Sequence, residues 1–345
     1  MYKKSLSFLI IILMVVSLVL TGCGNESSNS KQDSKVQVQE QGPEKITLKL
    51  SHPTNESHPY HIGAKKFSEL VNQKTNGQVD IEIFPNNSLG GPKETAQGLQ
   101  LGTIDLGIAA SAHLVSYNKN FGVLDIPFLF KDPDNAHKVL DSEVGTNLGK
   151  SLEEKNIKVL GYFDGGFRNL FNSKKNIKIS EDMKGLRVRV MDSEVYIDMF
   201  KAVNASPTVL PWDDLYTSIQ QGIVDAGETG ISQIYTQKFF EVAKNVSLTR
   251  HTYTAAPLMV SLNKFNQLPT NVQEAIIESA KEAIPFQYQA NEESEKQALE
   301  KLKEEGVNIE EQVDLASFQK QVQPVWEKYR KNFGELIDEI IEAQN

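Results

Sequence analysis

One nine-residue pattern occurs twice in this chain and narrows the folds open to it. Leu99-Gln-Leu-Gly-Thr-Ile-Asp-Leu-Gly107 and Ile219-Gln-Gln-Gly-Ile-Val-Asp-Ala-Gly227 share the form apolar-Gln-x-Gly-x-apolar-Asp-x-Gly. In each, Gly102 or Gly222 suits the left-handed turn that ends a helix, and the residues after it enter a strand. A junction of this kind used twice predicts two similar α/β lobes with a cleft between them. Ligands of such folds sit beyond the carboxyl ends of the strands, and interfaces between lobes are favoured places for pockets.

The surrounding sequence carries the same alternation. Ile46, Leu48 and Leu50 alternate as a strand, Ala64, Phe67, Leu70 and Val71 have helical spacing, and 79–84 is again a strand, followed by the turn-rich Pro85-Asn-Asn-Ser-Leu-Gly-Gly91. Further strands are expected near 104–109, 157–162, 167–172, 186–190, 206–210, 224–228, 245–249 and 256–262. Most are separated by helical stretches, which predicts α/β layers with largely parallel sheets. From Thr270 to about Gly306 the pattern is one long helix, and Pro285 inside it should kink it because proline lacks the amide donor. At 1.5 Å per residue such a helix reaches about 50 Å, enough to run along both lobes and stiffen their hinge.

The chain's beginning bears on where it works. Lys3 and Lys4 form a short positive head, Leu6 to Leu20 is almost wholly apolar, and Leu20-Thr-Gly-Cys23 ends the segment. The charged head and small-residue end suit a removable signal sequence, 1–22, better than a membrane span, although an apolar stretch of this length is also compatible with an anchor. The last four residues resemble the lipobox of bacterial lipoproteins, in which the cysteine becomes the lipidated first residue. Cys23 is the single cysteine, so no intrachain disulfide is possible. Residues 23–44 are Ser, Asn, Gln, Lys and Glu with few apolar groups, as expected of a tether. The remaining folded part is too large for one ordinary core. A formal net charge of −9 makes nucleic acid a poor partner, and any anion site must be locally basic.

Several constellations invite a chemical reading and do not sustain it. His52, His58 and His61 lie close together, as zinc ligands can, but they fall around two prolines with no carboxylate pair at matching spacing. A structural role, or for His58 a polar contact to ligand, fits better. Gly145-Thr-Asn-Leu-Gly-Lys-Ser151 has three residues between its glycines where a phosphate loop needs four, and it lies in a helical pattern. Asp132-Pro-Asp134 with Glu143 lacks the glycine and the oxygen ligand of a calcium loop, because His137 and Ala136 occupy those places. Gly-x-Ser-x-Gly, His-Glu-x-x-His and Gly-x-Gly-x-x-Gly do not occur, so nothing recommends catalysis or a cofactor.

Two arginines remain. Arg168 follows Phe163-Asp-Gly-Gly-Phe167, where glycines permit close approach of the backbone to a ligand, and Leu186-Arg-Val-Arg-Val190 alternates so that Arg187 and Arg189 share one face. A guanidinium is planar, permanently charged and forked, so on a strand in a cleft it suits a bidentate grip on a carboxylate. On spacing alone, a solvated basic edge strand is the ordinary alternative.

From about Lys45 to Asn345 the chain resembles the extracytoplasmic solute-binding proteins of TRAP (tripartite ATP-independent periplasmic) transporters, of the dicarboxylate-binding DctP type. The residues that carry the resemblance are Lys74-Thr-Asn-Gly77, Pro85-Asn-Asn-Ser-Leu-Gly-Gly91, Leu99-Gln-Leu-Gly-Thr-Ile-Asp105, Asp125-Ile-Pro-Phe-Leu-Phe130, Gly166-Phe-Arg168 with Asn172-Ser173, Lys184-Gly-Leu-Arg-Val-Arg-Val190, Leu215-Tyr216 and Val224-Asp225. The resemblance implies a two-lobed α/β fold like that of periplasmic binding proteins, with a long hinge-crossing helix. Lobe I would hold 45–165 plus 255–292, and lobe II 166–254 plus 293–345. It further implies that Arg189 holds the carboxylate of an organic acid, that Arg168 is a second arginine of the site, that Trp212 lies beside the ligand, and that Glu228 supports the main arginine from behind.

Thr229 stands where the family commonly has Asn, which leaves the substrate open among C4-dicarboxylates, uronates and other sugar acids, and 2-oxo acids. Asn172, Ser111 and His58 complete the expected ligand contacts. The expected partners are the small acid, the TRAP membrane permease and, through Cys23, a membrane, with the protein itself a monomer outside the cytoplasm. The alternatives are a surface-anchored enzyme acting on acidic sugars and, third, a metal-binding lipoprotein.

Overall fold

The computed structural model describes residues 45–345; the leader, Cys23 and the tether lie outside the described residues. The strands are β1 (Ile46–Ser51), β2 (Val79–Phe84), β3 (Leu106–Ile108), β4 (Ile157–Asn172), β5 (Arg187–Val190), β6 (Ser206–Val209), β7 (Ala226–Gly230), β8 (Asn245–Ser261) and β9 (Asn308–Glu310). They form one sheet in the order β2-β1-β3-β8-β4-β7-β5-β6, with β9 on β8.

β4 and β8 run antiparallel along almost their whole length and belong to both halves of that sheet. Near Leu258–Val260, β8 pairs with β3, and through β3 with β1 and β2. At the other end Arg168–Asn172 of β4 pairs with β7, and through β7 with β5 and β6. The molecule thus has two α/β lobes joined by two shared strands.

The sheet is mixed rather than largely parallel, because β3, β4, β7 and β8 pair antiparallel with one another. The strands expected separately at 157–162 and 167–172 are the two ends of β4, and those at 245–249 and 256–262 are the ends of β8. The break in hydrophobic pattern marks irregular pairing, with register shifts between Asp164 and Phe167 and between Arg168 and Leu170. A bulge adds an unpaired residue and bends the strand without ending it. Gly166 supplies the backbone for this, at φ +78°, and a Cβ there would collide with Glu295 Oε1. A Cβ on Gly165 would strike the Tyr60 hydroxyl and Thr254. The close approach foreseen at these glycines is therefore to protein atoms.

The repeated pattern has the same structure at both places. The helix Pro92–Leu101 ends at Gly102, φ +73°, and leads to β3; the helix Leu215–Gln220 is followed by Gly222, φ +69°, and leads to β7. The two aspartates also have equivalent roles. Asp105 Oδ2 accepts from the Lys49 amide of β1 at 2.9 Å, and Asp225 Oδ2 accepts from the Arg187 amide of β5 at 3.1 Å. Their carbonyls accept from Ser261 and Ser173, at the ends of β8 and β4.

The helix Thr270–Glu304 continues through Pro285. Ile276, Ala280 and Ile284 join the core of Leu48, Leu50 and Phe67 in one lobe, while Ala298 and Leu302 join that of Phe171, Leu215 and Val246 in the other. One rigid element is thereby anchored at both ends, and full burial of a side chain such as Ile276 or Leu302 contributes about 1.5–3 kcal/mol.

Candidate functional site

β5 reads Arg-Val-Arg-Val. Val188 and Val190 are fully buried in the core, and the arginines between them differ in fate. Arg187 stays at the surface, where its Nη2 meets Asp225 Oδ1 at 2.7 Å. Arg189 is buried, with 1% of its surface exposed. Its Nε donates to the Leu210 carbonyl at 2.9 Å, its Cζ lies 5.7 Å from the centre of the Trp212 ring, and its Nη1 is buried without a partner. Burial pulls its pKa down to about 10, with Glu228 opposing and Arg168 reinforcing the fall, so the group remains a cation at neutral pH.

Arg168 sits between the bulges of β4 and makes four hydrogen bonds, so each of its three nitrogens has a partner. Glu228 clasps its Nε and Nη2, the second at 2.8 Å, and Nη1 donates to Thr254 Oγ1 at 3.0 Å. Burial opposes its charge, but the Glu228 carboxylate outweighs this and holds the pKa above the ordinary value. Glu228 in turn stays below the usual carboxylate range despite its own burial, because Arg168 and His251 face it. Glu228 thus pairs directly with Arg168, and its carboxylate also favours the charged form of Arg189 from behind without touching it. A carboxylate paired in bidentate fashion serves the guanidinium it touches, and that guanidinium is Arg168.

Two adjoining pockets meet at Arg189. An outer cavity of about 340 Å³ is lined by Asn87, Lys93, His113, Arg189, Trp212 and Asp213, among others. A smaller recess behind it adds Tyr60, Arg168 and Gln233. Its two sides are joined by Asn55 Nδ2 to the Thr236 carbonyl at 2.6 Å, Asn87 Nδ2 to Asp213 Oδ1 at 2.7 Å, and Lys93 Nζ to Asp192 Oδ2 at 2.5 Å. Another pocket of about 420 Å³ lies by Gly161 and Pro285, away from the arginines, and none of its lining side chains carries a buried unpartnered polar atom.

Of the residues expected from sequence, Arg189, Arg168 and Trp212 meet at these pockets, and the others do not line them. Asn172 is consumed by a turn, its Oδ1 accepting from the Lys174 and Lys175 amides and its Nδ2 donating to the Lys175 carbonyl. His58 caps the helix Pro59–Lys74, with Nδ1 accepting from the Tyr60 amide at 3.1 Å. Ser111 is buried beside the site, while its neighbours Ala110 and His113 reach the recess. Thr229 donates to Gln233 Oε1 and so acts through Gln233, which lines the recess. The histidine cluster is structural in part: His52 Nε2 and His61 Nδ1 are hydrogen-bonded at 3.1 Å, and among the described residues no group of three or more potential ligands is placed to hold a metal.

His113 went unread in the sequence, and so did Tyr60, Lys93 and Gln233. Burial first, then the nearby Arg189 and Arg168, push the His113 pKa down to about 3, so the imidazole is neutral; its Nδ1 is buried without a partner. The one hint was its place two residues after Ser111 in the turn that follows β3.

A buried guanidinium with a free nitrogen on a cavity wall has the chemistry to receive an anion. The model of a family described as bacterial extracellular solute-binding protein, family 7 (DctP), matches residues 50–332. The chain belongs to this family. As a DctP-family protein it is 34% identical over 304 residues to the 2,3-diketo-L-gulonate-binding periplasmic protein YiaO of Escherichia coli K12, covering 86% of this chain and 92% of that one. It is 29% identical over 337 residues to the C4-dicarboxylate-binding protein DctB of Bacillus subtilis 168, covering 96% and 95%. The crystal structure of a TRAP periplasmic solute-binding protein from Polaromonas sp. JS666 bound to D-erythronate superposes with a TM-score of 0.84 at 33% identity, covering 87% of this chain and 98% of that one. The fold is that of the two-lobed TRAP solute-binding proteins, and the DctP family consists of extracytoplasmic binding proteins rather than enzymes.

Proposed function

We propose that this protein captures an organic acid by gripping its carboxylate with Arg189 in the interlobe cleft, and that it delivers the acid to a TRAP-type membrane permease. The observation that carries the reading is the Arg189 guanidinium, buried, cationic and with Nη1 unsatisfied. A buried unpaired charge is costly, and an incoming carboxylate removes that cost while making charge-assisted bonds of about 1.5–3 kcal/mol each. Trp212 would cover the ligand, and Arg168, neutralised by Glu228, would form the rear wall. Ligands named for related proteins, 2,3-diketo-L-gulonate and D-erythronate, support a carboxylate as the common element.

Closure would be a hinge motion favoured by contacts that exist only when both lobes touch the ligand. The hinge is placed at the bulged stretch of β4 around Gly165 and Gly166 and the facing part of β8, and the lobes 45–165 plus 255–292 and 166–254 plus 293–345 are part of this proposal. Lipidation of Cys23 would tether the protein to the outer face of a membrane; loss of labelled fatty acid from a Cys23→Ser variant tests this. The binding reading is tested by calorimetry across a panel of organic acids with product analysis of each mixture. Saturable one-to-one heat with the acid recovered intact is expected. No binding by any acid, or conversion of one, would refute it.

A further inference from the structure

The charges around the cleft bear on the charge of its ligand. Among the described residues, three cations line the two pockets: Arg168, Arg189 and Lys93. Two of them already face carboxylates, Arg168 in the clasp of Glu228 and Lys93 at 2.5 Å from Asp192. Arg189 is left with an unpartnered buried nitrogen. The outer cavity carries two further acids, Glu94 and Asp213, the second accepting from Asn87. Two further buried unpartnered atoms belong to residues lining the pockets, Nδ1 of His113 and the Tyr60 hydroxyl, and a neutral imidazole or phenol exchanges hydrogen bonds with a hydroxyl without adding charge.

We propose that the cleft selects a hydroxylated monocarboxylate, its carboxylate on Arg189, a hydroxyl on His113 and an uncharged hydroxylated end against Glu94 and Asp213, and discriminates against a dicarboxylate of the same length. This deepens, and rests on, the carboxylate-binding reading of the same cleft. A second carboxylate would lie among Glu94, Asp192 and Asp213, all three at exposed positions, or would have to displace Asp192 from Lys93; like charges facing one another are unfavourable, and more so as closure of the lobes excludes water. Hydroxyls, by contrast, donate to those acids. The cavity, at about 340 Å³, stands near the lower end of the roughly 300–1,000 Å³ of small-molecule sites, which suits a short sugar acid.

Calorimetry with matched pairs tests this: L-threonate against tartrate, D-gluconate against D-glucarate, and D-galactonate against galactarate, with succinate added. In the pairs that bind, the monocarboxylate is expected to be tighter by about tenfold or more, given the like-charge contacts that the second carboxylate meets. Asp192→Asn, at an exposed position, frees Lys93 and is expected to narrow that gap by raising affinity for the dicarboxylate. Equal affinities, a tighter dicarboxylate, or a ratio unmoved by Asp192→Asn would overturn the charge selection while leaving the carboxylate grip standing. Absence of binding across the whole panel would overturn both.

Discussion

At the scale of single residues, the two arginines of the cleft differ in what they have left to offer. Every nitrogen of Arg168 has a partner in Glu228 or Thr254, whereas Arg189 keeps Nη1 free. Arg189→Ala is therefore expected to weaken acid binding by about a hundredfold or more, from the loss of two charge-assisted bonds. Arg189→Lys should fall nearly as far, because a point charge cannot reproduce the fork. Affinity within a few-fold of wild type in a calorimetric titration of Arg189→Ala would sink the role assigned to it. Glu228→Gln belongs to another category, since it strands a buried guanidinium. Breaking a buried pair costs about 3–5 kcal/mol, so its urea midpoint should drop sharply even in the absence of any acid. Sequence alone makes both arginines visible, but two strand-borne arginines look alike until the carboxylate that faces one of them is located.

At the scale of elements, the stretch of β4 proposed as the hinge packs a glycine against a buried carboxyl group. Gly166 at φ +78° lies against Glu295 Oε1, which is buried without a partner although the rest of that residue is partly exposed. Burial, with Asp164 adding, pushes the Glu295 pKa up to about 8. Above its ordinary value of 4.5 the unfolded chain releases this proton while the folded one keeps it, so the residue costs stability progressively as pH rises toward 8. Glu295→Gln removes that penalty. Urea unfolding at about pH 5 and about pH 9 should show the variant gaining on wild type at the higher pH, and an equal difference at both would contradict the shift. Gly166→Ala should be destabilising for two reasons, the positive φ and the collision with Glu295, and a Tm unchanged from wild type would contradict both. None of this was evident in the sequence beyond the glycines themselves, because Glu295 reaches them from a helix more than a hundred residues further along the chain.

At the scale of the whole molecule, polar contacts among the described residues span the cleft, including Asn55 with Thr236, Asn87 with Asp213 and Lys93 with Asp192. A contact present only when the lobes approach acts on the residence time of the ligand more than on the stability of either lobe. Asn87→Ala should speed dissociation roughly two- to tenfold, the worth of one hydrogen bond, with little change in Tm. Stopped-flow measurement of an unchanged off-rate would remove Asn87 from closure. Sequence by itself determined the two α/β lobes, through a helix–Gly–strand junction used twice, and it determined the long helix and the arginine candidates, because these follow from local periodicity and residue chemistry. Only the tertiary structure decided that β4 and β8 pass through both lobes, that Glu228 belongs to Arg168, that Asn172 serves a turn, and that His113 and Gln233 reach the cleft. Those facts depend on which groups distant in the chain meet in a dry interior, where a carboxylate can neutralise one cation and leave another free.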